Sequence, residues 1–289
     1  MERALRDAVG RRLGAPVIGA TVVHGGDVAA AFRFDLADGR RVFAKTHPAA
    51  PAGFFTTEAK GLSWLRSAGA VTVPEIFGVS DGGDDEPAHL VLEWIETGSP
   101  RPSTDADFGR ALAGLHLAGA PCFGSEDRRT TGSRGLPNEP CATWAQFYAT
   151  DRLLPLARLA TGAGALPPTI IAALEDLADR LDGLGGPPEP PARLHGDLWA
   201  GNRLIGVGGR SWLIDPAAHG GHREFDLAMM RLFGGFGSVC FEAYEEVHPL
   251  ADGWRDRVAL HHIAPLVVHA VKFGAGYVRG ATDAILRYR

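Results

Sequence analysis

Leu5, Val9 and Leu13 recur at helical spacing, so the chain opens on a short amphipathic helix. Val17 to His24 is rich in β-branched residues and reads as a strand. Val28 to Leu36 and Arg40 to Lys45 flank Asp38-Gly39, a strong hairpin signal. Thr56 to Ser67 then reads as a helix with Glu58, Leu62 and Leu65 on one face. Ile76 to Val79 and His89 to Ile95 are two further strands. About the first third of the chain is therefore an α+β lobe of five strands and one major helix.

Past Glu96 the pattern changes. Thr97 to Thr104 is rich in Gly, Ser and Pro and reads as a linker. Phe108, Ala111, Leu112 and Leu115 place a helix over Asp105 to Ala118, and Trp144 to Leu159 is another. Thr169 to Leu184 carries Ile170, Leu174, Leu177, Leu181 and Leu184 on one stripe. Arg203 to Ile205 and Ser211 to Ile214 suggest a small hairpin. Two more helices are expected over Glu224 to Val247 and Trp254 to Arg279. The pattern divides the chain at residues 1–96 and 97–289, a small sheet-rich lobe and a larger helical one.

Composition narrows the setting. The chain has 289 residues, long enough for one large core or two lobes. Its net charge is −5 with no clustered Lys and Arg, which argues against a nucleic-acid partner. The N-terminus lacks a signal-peptide pattern, and runs such as Ile263 to Val268 are too short to span a bilayer. A cytoplasmic monomer without a membrane partner is expected. Cys122, Cys141 and Cys240 lack zinc-ligand spacing and read as reduced packing or loop residues.

The chemistry concentrates in Leu194-His195-Gly196-Asp197-Leu198-Trp199-Ala200-Gly201-Asn202, with Asp215 eighteen residues after Asp197. Phosphoryl transfer needs parts in that order: a carboxylate to orient and deprotonate a hydroxyl, then an amide and a carboxylate to hold Mg²⁺. Asp197 is the candidate general base, and Asn202 and Asp215 the candidate metal ligands. An Asp-x4-Asn pair alone is usually a capped turn. Here it follows Lys45, at the end of a strand, and Glu58, on the apolar face of the next helix. A carboxylate on that face needs a partner, and Lys45 is the natural one. Lys45 so held would neutralise nucleotide phosphates. Gly25 and Gly26, between the first two strands, could bring backbone N–H groups to phosphate oxygens, although a plain hairpin turn explains them equally well. The segment Glu93, Trp94 and Ile95 should bind an adenine ring through its backbone. These parts together imply a bilobal, protein kinase-like α+β fold with ATP between the lobes. His195 is expected to brace the loop, Asp226 to accept its backbone hydrogen bonds, and His116 to pack near the cleft. Trp199, His219, His222 and Glu224 are candidates to contact substrate. The spacing of the last three fits no standard zinc motif.

Two absences refine the class. Asp215 is followed by Pro216-Ala217 rather than Phe-Gly, and Gly196 stands where protein kinases use an arginine. Only ten residues separate Asp215 from Asp226, which leaves no room for a peptide-docking activation segment. The acceptor is expected to be a small molecule.

The motifs His195-Gly196-Asp197-x4-Asn202 and Ile214-Asp215-Pro216 resemble the aminoglycoside phosphotransferase and choline kinase superfamily. Trp199, Gly221-His222-Arg223-Glu224-Phe225-Asp226-Leu227-Ala228, Phe233-Gly234-Gly235-Phe236, Pro249-Leu250-Ala251-Asp252-Gly253-Trp254 and Trp144-x2-Phe147-Tyr148-x3-Arg152-Leu153 narrow this. They look like the fructosamine kinase, or ketosamine 3-kinase, family over nearly the whole chain. The resemblance implies ATP-dependent phosphorylation of the 3-hydroxyl of ribulosamine, erythrulosamine or fructosamine adducts, including those on protein lysines, with release of the amine. Some relatives carry a cysteine in the glycine loop; Gly25-Gly26-Asp27-Val28 has none, so redox control there is not implied. The alternatives are an aminoglycoside or other amino-alcohol phosphotransferase and a nucleotide-binding pseudokinase.

Overall fold

The computed structural model describes residues 2–24, 29–83, 86–127, 130–131 and 135–289. Helix α1 (Glu2–Leu13) precedes strands β1 (Val17–Val23), β2 (Ala30–Leu36) and β3 (Arg41–Thr46). Helix α2 (Phe54–Ser67) and strands β4 (Ile76–Ser80) and β5 (His89–Glu93) complete the N-terminal lobe. The five expected strands form one antiparallel sheet in the order β1-β2-β3-β5-β4.

Period-two alternation decides what each face of this sheet meets. Phe32, Phe34, Leu36, Val42, Ala44 and Val91 point to one face, where Leu5 and Val9 of α1 cover them. Leu90 and Leu92 point to the other and pack with Phe55, Ala59, Leu62 and Leu65 of α2. That second cluster continues into the C-terminal lobe through Leu198, Leu213 and Leu227. Lys45 alternates with Val42 and Ala44, so it emerges on the α2 side.

The chain then runs through residues 96–98, which bond to the other lobe: Gly98 N–H to Ile205 O (2.8 Å) and Val207 N–H to Glu96 O (3.1 Å). The larger lobe begins with α3 (Thr104–Leu117) and the two-residue strands β6 (Thr130–Thr131) and β7 (Leu136–Pro137). The helix expected from Trp144 to Leu159 is instead α4 (Trp144–Phe147), a wide turn over Tyr148–Leu153, and α5 (Leu154–Gly162). Pro155 has no N–H for the carbonyl of Asp151, and the Arg152 guanidinium fills that place at 2.9 Å. Helix α6 (Pro168–Ala178) ends before the expected Leu184, although Leu181 stays buried in a short turn after it.

Strands β8 (Ala192–Leu194), β9 (Arg203–Ile205), β10 (Ser211–Leu213) and β11 (His219–Gly221) frame the motif region. The β9–β10 hairpin matches expectation; the β8–β11 pairing, with Leu194 opposite His219, had no signal in the sequence. Each of the last two expected helices is divided. Gly234 and Gly235, at φ 71° and 88°, separate α7 (Glu224–Leu232) from α8 (Ser238–Val247). Gly274, at φ 77°, separates α9 (Trp254–Phe273) from α10 (Ala275–Leu286). Such values suit glycine and interrupt a right-handed helix. Cys122, Cys141 and Cys240 form no disulfide among the described residues, and Cys240 is buried. No helix among the described residues is long and apolar enough to cross a membrane.

Candidate active site

The first half of the site is a cation held between two carboxylates. Lys45 Nζ lies 2.6 Å from Glu58 of α2 and 2.8 Å from Asp215 of the opposite lobe. The expected Lys45–Glu58 pair is therefore present, and Asp215 closes it across the cleft. Burial alone would pull the Lys45 ammonium down, but Glu58 and Asp215 reverse this and hold it above its ordinary value. Burial pushes Glu58 up to about 7 against the pull of Lys45. Burial also acts to raise Asp215, where Lys45 prevails and the carboxyl stays below its ordinary range. Asp215 has φ 53°, the only positive φ of a non-glycine among the described residues. A backbone held in this sparsely populated region is typical of a residue fixed for function.

The second half is the segment between β8 and β9. Asn202 is buried and turns its amide nitrogen onto Asp197, donating to the backbone oxygen at 2.8 Å and to Oδ2 at 3.1 Å. Asn202 Oδ1 and Asp197 Oδ1 are left for other ligands. Burial pushes Asp197 up to about 7, opposed by the Asn202 amide and helped by Asp215 and Asp226.

The support beneath is fully buried. Asp226 accepts the N–H groups of His195 (2.7 Å) and Gly196 (2.9 Å) and contacts His116 Nε2 at 3.3 Å. His116 Nδ1 reaches the Tyr244 hydroxyl at 2.8 Å. Burial acts to raise Asp226, but its hydrogen bond from His116 and the neighbouring imidazoles hold its carboxyl below the usual range. His195 Nε2 bonds the Ile214 carbonyl at 3.0 Å, while its Nδ1 accepts the Asp197 N–H at 3.3 Å. That pattern specifies a neutral imidazole, and burial lowers its pKa in the same sense. His195 thus ties Asp197 to the backbone one residue before Asp215, the bracing role expected of it.

Glu93 ends β5, its N–H bonded to Glu75 O at 2.8 Å. Trp94 is half-buried under the Arg33 guanidinium, and Ile95 is buried. Gly25 and Gly26 lie outside the described residues. Trp199 is 39% exposed, and its ring lies against Gly201, where any Cβ would meet it at 2.2 Å.

His219, His222 and Glu224 are not at the surface of the cleft. They are 1%, 3% and 1% exposed. They lie beneath the loop, and several of their polar atoms are engaged there. His219 Nδ1 meets Ala217 O at 2.8 Å. Glu224 holds Arg257 through both oxygens at 2.6 and 2.9 Å, and its backbone N–H donates to His222 Nδ1 at 3.3 Å. Burial would raise Glu224, yet His261 and Arg257 bring it down to about 2. His222, Glu224 and His261 offer ligand atoms within 4.8 Å of one another, a spacing that could hold a metal ion. Arg257 already neutralises the carboxylate, and His261 Nε2 approaches it at 3.5 Å. Sequence reasoning missed Arg257 and His261 because they lie 33 and 37 residues beyond Glu224.

His222 carries a consequence for acid stability. Burial, and then His261, lower it from 6.5 to about 4. Below pH 6.5 the unfolded chain protonates this imidazole while the folded chain does not. Stability must then fall as pH drops from 6.5 to about 4, by about 2–3 kcal/mol over the window. Urea unfolding at pH 7 and 4.5 should show a smaller loss in His222→Asn than in the wild type. Equal losses would contradict the assignment.

Known proteins match nearly the whole length of the chain. The family model for fructosamine kinase matches residues 2–288. A probable ketoamine kinase of Synechocystis is 34% identical over 255 residues, covering 86% of this chain and 84% of its own length. One of Enterococcus faecium is 34% identical over 256 residues, covering 88% and 90%. Among solved structures, a candidate fructosamine-3-kinase from Thermobifida fusca superposes with TM-score 0.88 at 41% identity, covering 98% of this chain and 97% of that one. An aminoglycoside phosphotransferase, solved with ADP and hygromycin B, superposes with TM-score 0.60 at 18% identity over 99% of this chain and 98% of its own, a likeness of fold alone.

Proposed function

Because the chain belongs to the fructosamine kinase family, we propose that it transfers the γ-phosphoryl group of ATP to the 3-hydroxyl of a sugar ketosamine and so labilises the adduct. That it is a small-molecule kinase of the ketoamine kinase type follows from the family. The observation carrying the finer reading is Asp197. Its Oδ2 is held by Asn202, and its Oδ1 remains to accept a hydroxyl proton.

In this reading residues 1–96 and 97–289 form two lobes with the nucleotide between them. Glu93, Trp94 and Ile95 present backbone groups to adenine, and Gly25, Gly26 and Lys45 meet the phosphates. The donor set fits Mg²⁺: Asn202 Oδ1 is turned away from its own hydrogen bonds, and the Asp215 side chain is 46% exposed with one oxygen on Lys45. Those two residues would hold the ion, which supplies charge neutralisation of the phosphates when bound. Glu58 keeps Lys45 aimed into the cleft. Asp197 orients the sugar hydroxyl and takes its proton as the new P–O bond forms and the bond to ADP breaks. From the 1,2-enamine tautomer of the product, phosphate leaves C3 more readily than hydroxide, and water then hydrolyses the resulting imine to free the amine. Protein lysine adducts are included among the acceptors.

Turnover with MgATP should be measured on ribulosamine, erythrulosamine and fructosamine adducts, locating the product phosphate by NMR. Phosphate on O3 of at least one adduct is expected. Phosphorylation of an aminoglycoside but of no ketosamine would reverse the assignment.

A further inference from the structure

A run of partly exposed aromatic rings extends from the catalytic loop across the helical lobe. Trp199 meets Phe233, at the end of α7, edge-on with ring centres 5.9 Å apart. Phe233 meets His269 of α9 at 5.2 Å and Tyr277 of α10 at 6.5 Å. The break at Gly274 folds α10 back, so that Tyr277 also lies 4.9 Å from His269 and 5.9 Å from Phe273. Trp199, Phe233 and Phe273 are 39%, 38% and 49% exposed. Trp199, Phe233 and Phe273 belong to neither core cluster, while Tyr277 packs partly against the larger one. A contiguous exposed patch of this kind marks a binding surface rather than a folding requirement.

Its position says what it binds. The Trp199 backbone N–H donates to the Asp197 backbone carbonyl at 3.1 Å, so the first residue of the patch stands two positions after Asp197, and its ring lies against Gly201 of the same loop. At the other end of the run Lys272 Nζ lies 4.8 Å over the Phe273 ring. The patch therefore begins in the loop that carries Asp197 and runs from there over α7, α9 and α10. In a ketosamine four bonds separate O3 from the amine nitrogen, at most about 5 Å. A sugar with O3 at Asp197 and its ring or chain against Trp199 carries its amine substituent onto Phe233 and Tyr277.

We propose that Trp199, Phe233, His269, Phe273 and Tyr277 form a carrier subsite, which selects ketosamines whose amine bears an apolar, preferably aromatic, substituent. The subsite rests on the ketosamine reading above. Ring stacking and removal of apolar area from water supply the preference. Phe233 and Tyr277 are specificity residues here, since the transferred group and the base lie at the other end of the patch.

The test fixes the sugar and varies the amine, comparing adducts of methylamine and benzylamine. The wild type should favour the benzylamine adduct by about tenfold to a hundredfold in kcat/KM, the worth of one buried ring. Phe233→Ala and Tyr277→Ala should shrink that ratio towards unity by raising KM for the benzylamine adduct, whereas Tyr277→Phe should keep it. A wild type without preference, or a ratio untouched by both alanine variants, overturns the subsite. Calorimetric binding of the benzylamine adduct separates this from failure of the parent reading. Binding that Phe233→Ala weakens, with no phosphate transferred, would sink the ketosamine kinase reading and leave the subsite standing. Binding that neither alanine variant weakens would sink the subsite even if turnover is found.

Discussion

Asp197→Asn is expected to lower kcat by roughly 10²- to 10⁴-fold, the usual worth of a positioned general base. Nucleotide affinity should change little, because Lys45, Glu58 and Asp215 form their own cluster without it. The loop should also survive. Its bracing bonds, Asp197 N–H to His195 and Asn202 to the Asp197 carbonyl, use the backbone of residue 197 and not its carboxylate. An asparagine can keep its oxygen on Asn202 and turn its amide toward the substrate, presenting a donor where an acceptor is needed. Stability should rise slightly, since burial disfavours the charged carboxylate. The combination is specific: turnover lost, nucleotide binding kept, melting temperature unchanged or higher. Turnover within tenfold of the wild type would remove Asp197 from the role of base.

The parts of the site that sequence made legible are those encoded at short range. Lys45 and Glu58 each sit in an element with a clear period, and Asp197, Asn202 and Asp215 are read from spacing. Their meeting across the cleft required only that the lobes face each other. The parts that escaped depend on distant partners. Glu224 looks like a cleft carboxylate until Arg257 is placed on it, and His222 looks like a ligand until its depth is known. The β8–β11 pairing was hidden because three-residue strands carry no periodic signal of their own. The divided helices were hidden because glycine is tolerated inside a helical pattern, and only its backbone angle shows that the chain turns there. The aromatic patch follows from one of those turns, at Gly274, which brings Tyr277 against residues of the preceding helix.

Gly196→Ala should be strongly damaging to both stability and turnover. Gly196 has φ 81°, in the region that L-residues avoid at a cost of about 1–2 kcal/mol. A Cβ there would also lie 2.1 Å from the Ala217 carbonyl oxygen and 2.9 Å from His219 Nδ1. Neither neighbour is the loose end of a flexible side chain: one is backbone beside Asp215, the other an imidazole buried against Phe147 and Phe225. Relieving the overlap must move the loop, at about 1–3 kcal/mol for overpacking. The loop in turn hangs on Asp226 through the Gly196 N–H, one residue before Asp197, the proposed base. Gly196→Ala should therefore lose about 3 kcal/mol of stability in urea unfolding and at least 10²-fold in kcat, as a displaced base would. Gly14→Ala is the control. It has φ 69°, and nothing lies within 4 Å of where its methyl group would sit, so it bears the backbone strain alone and should keep full activity. If the two variants proved equally stable and equally active, close packing would not be what excludes a side chain at residue 196. The same contact explains why the arginine found at this place in protein kinases could not be accommodated here: its Cβ would strike the Ala217 carbonyl before its guanidinium could reach anything.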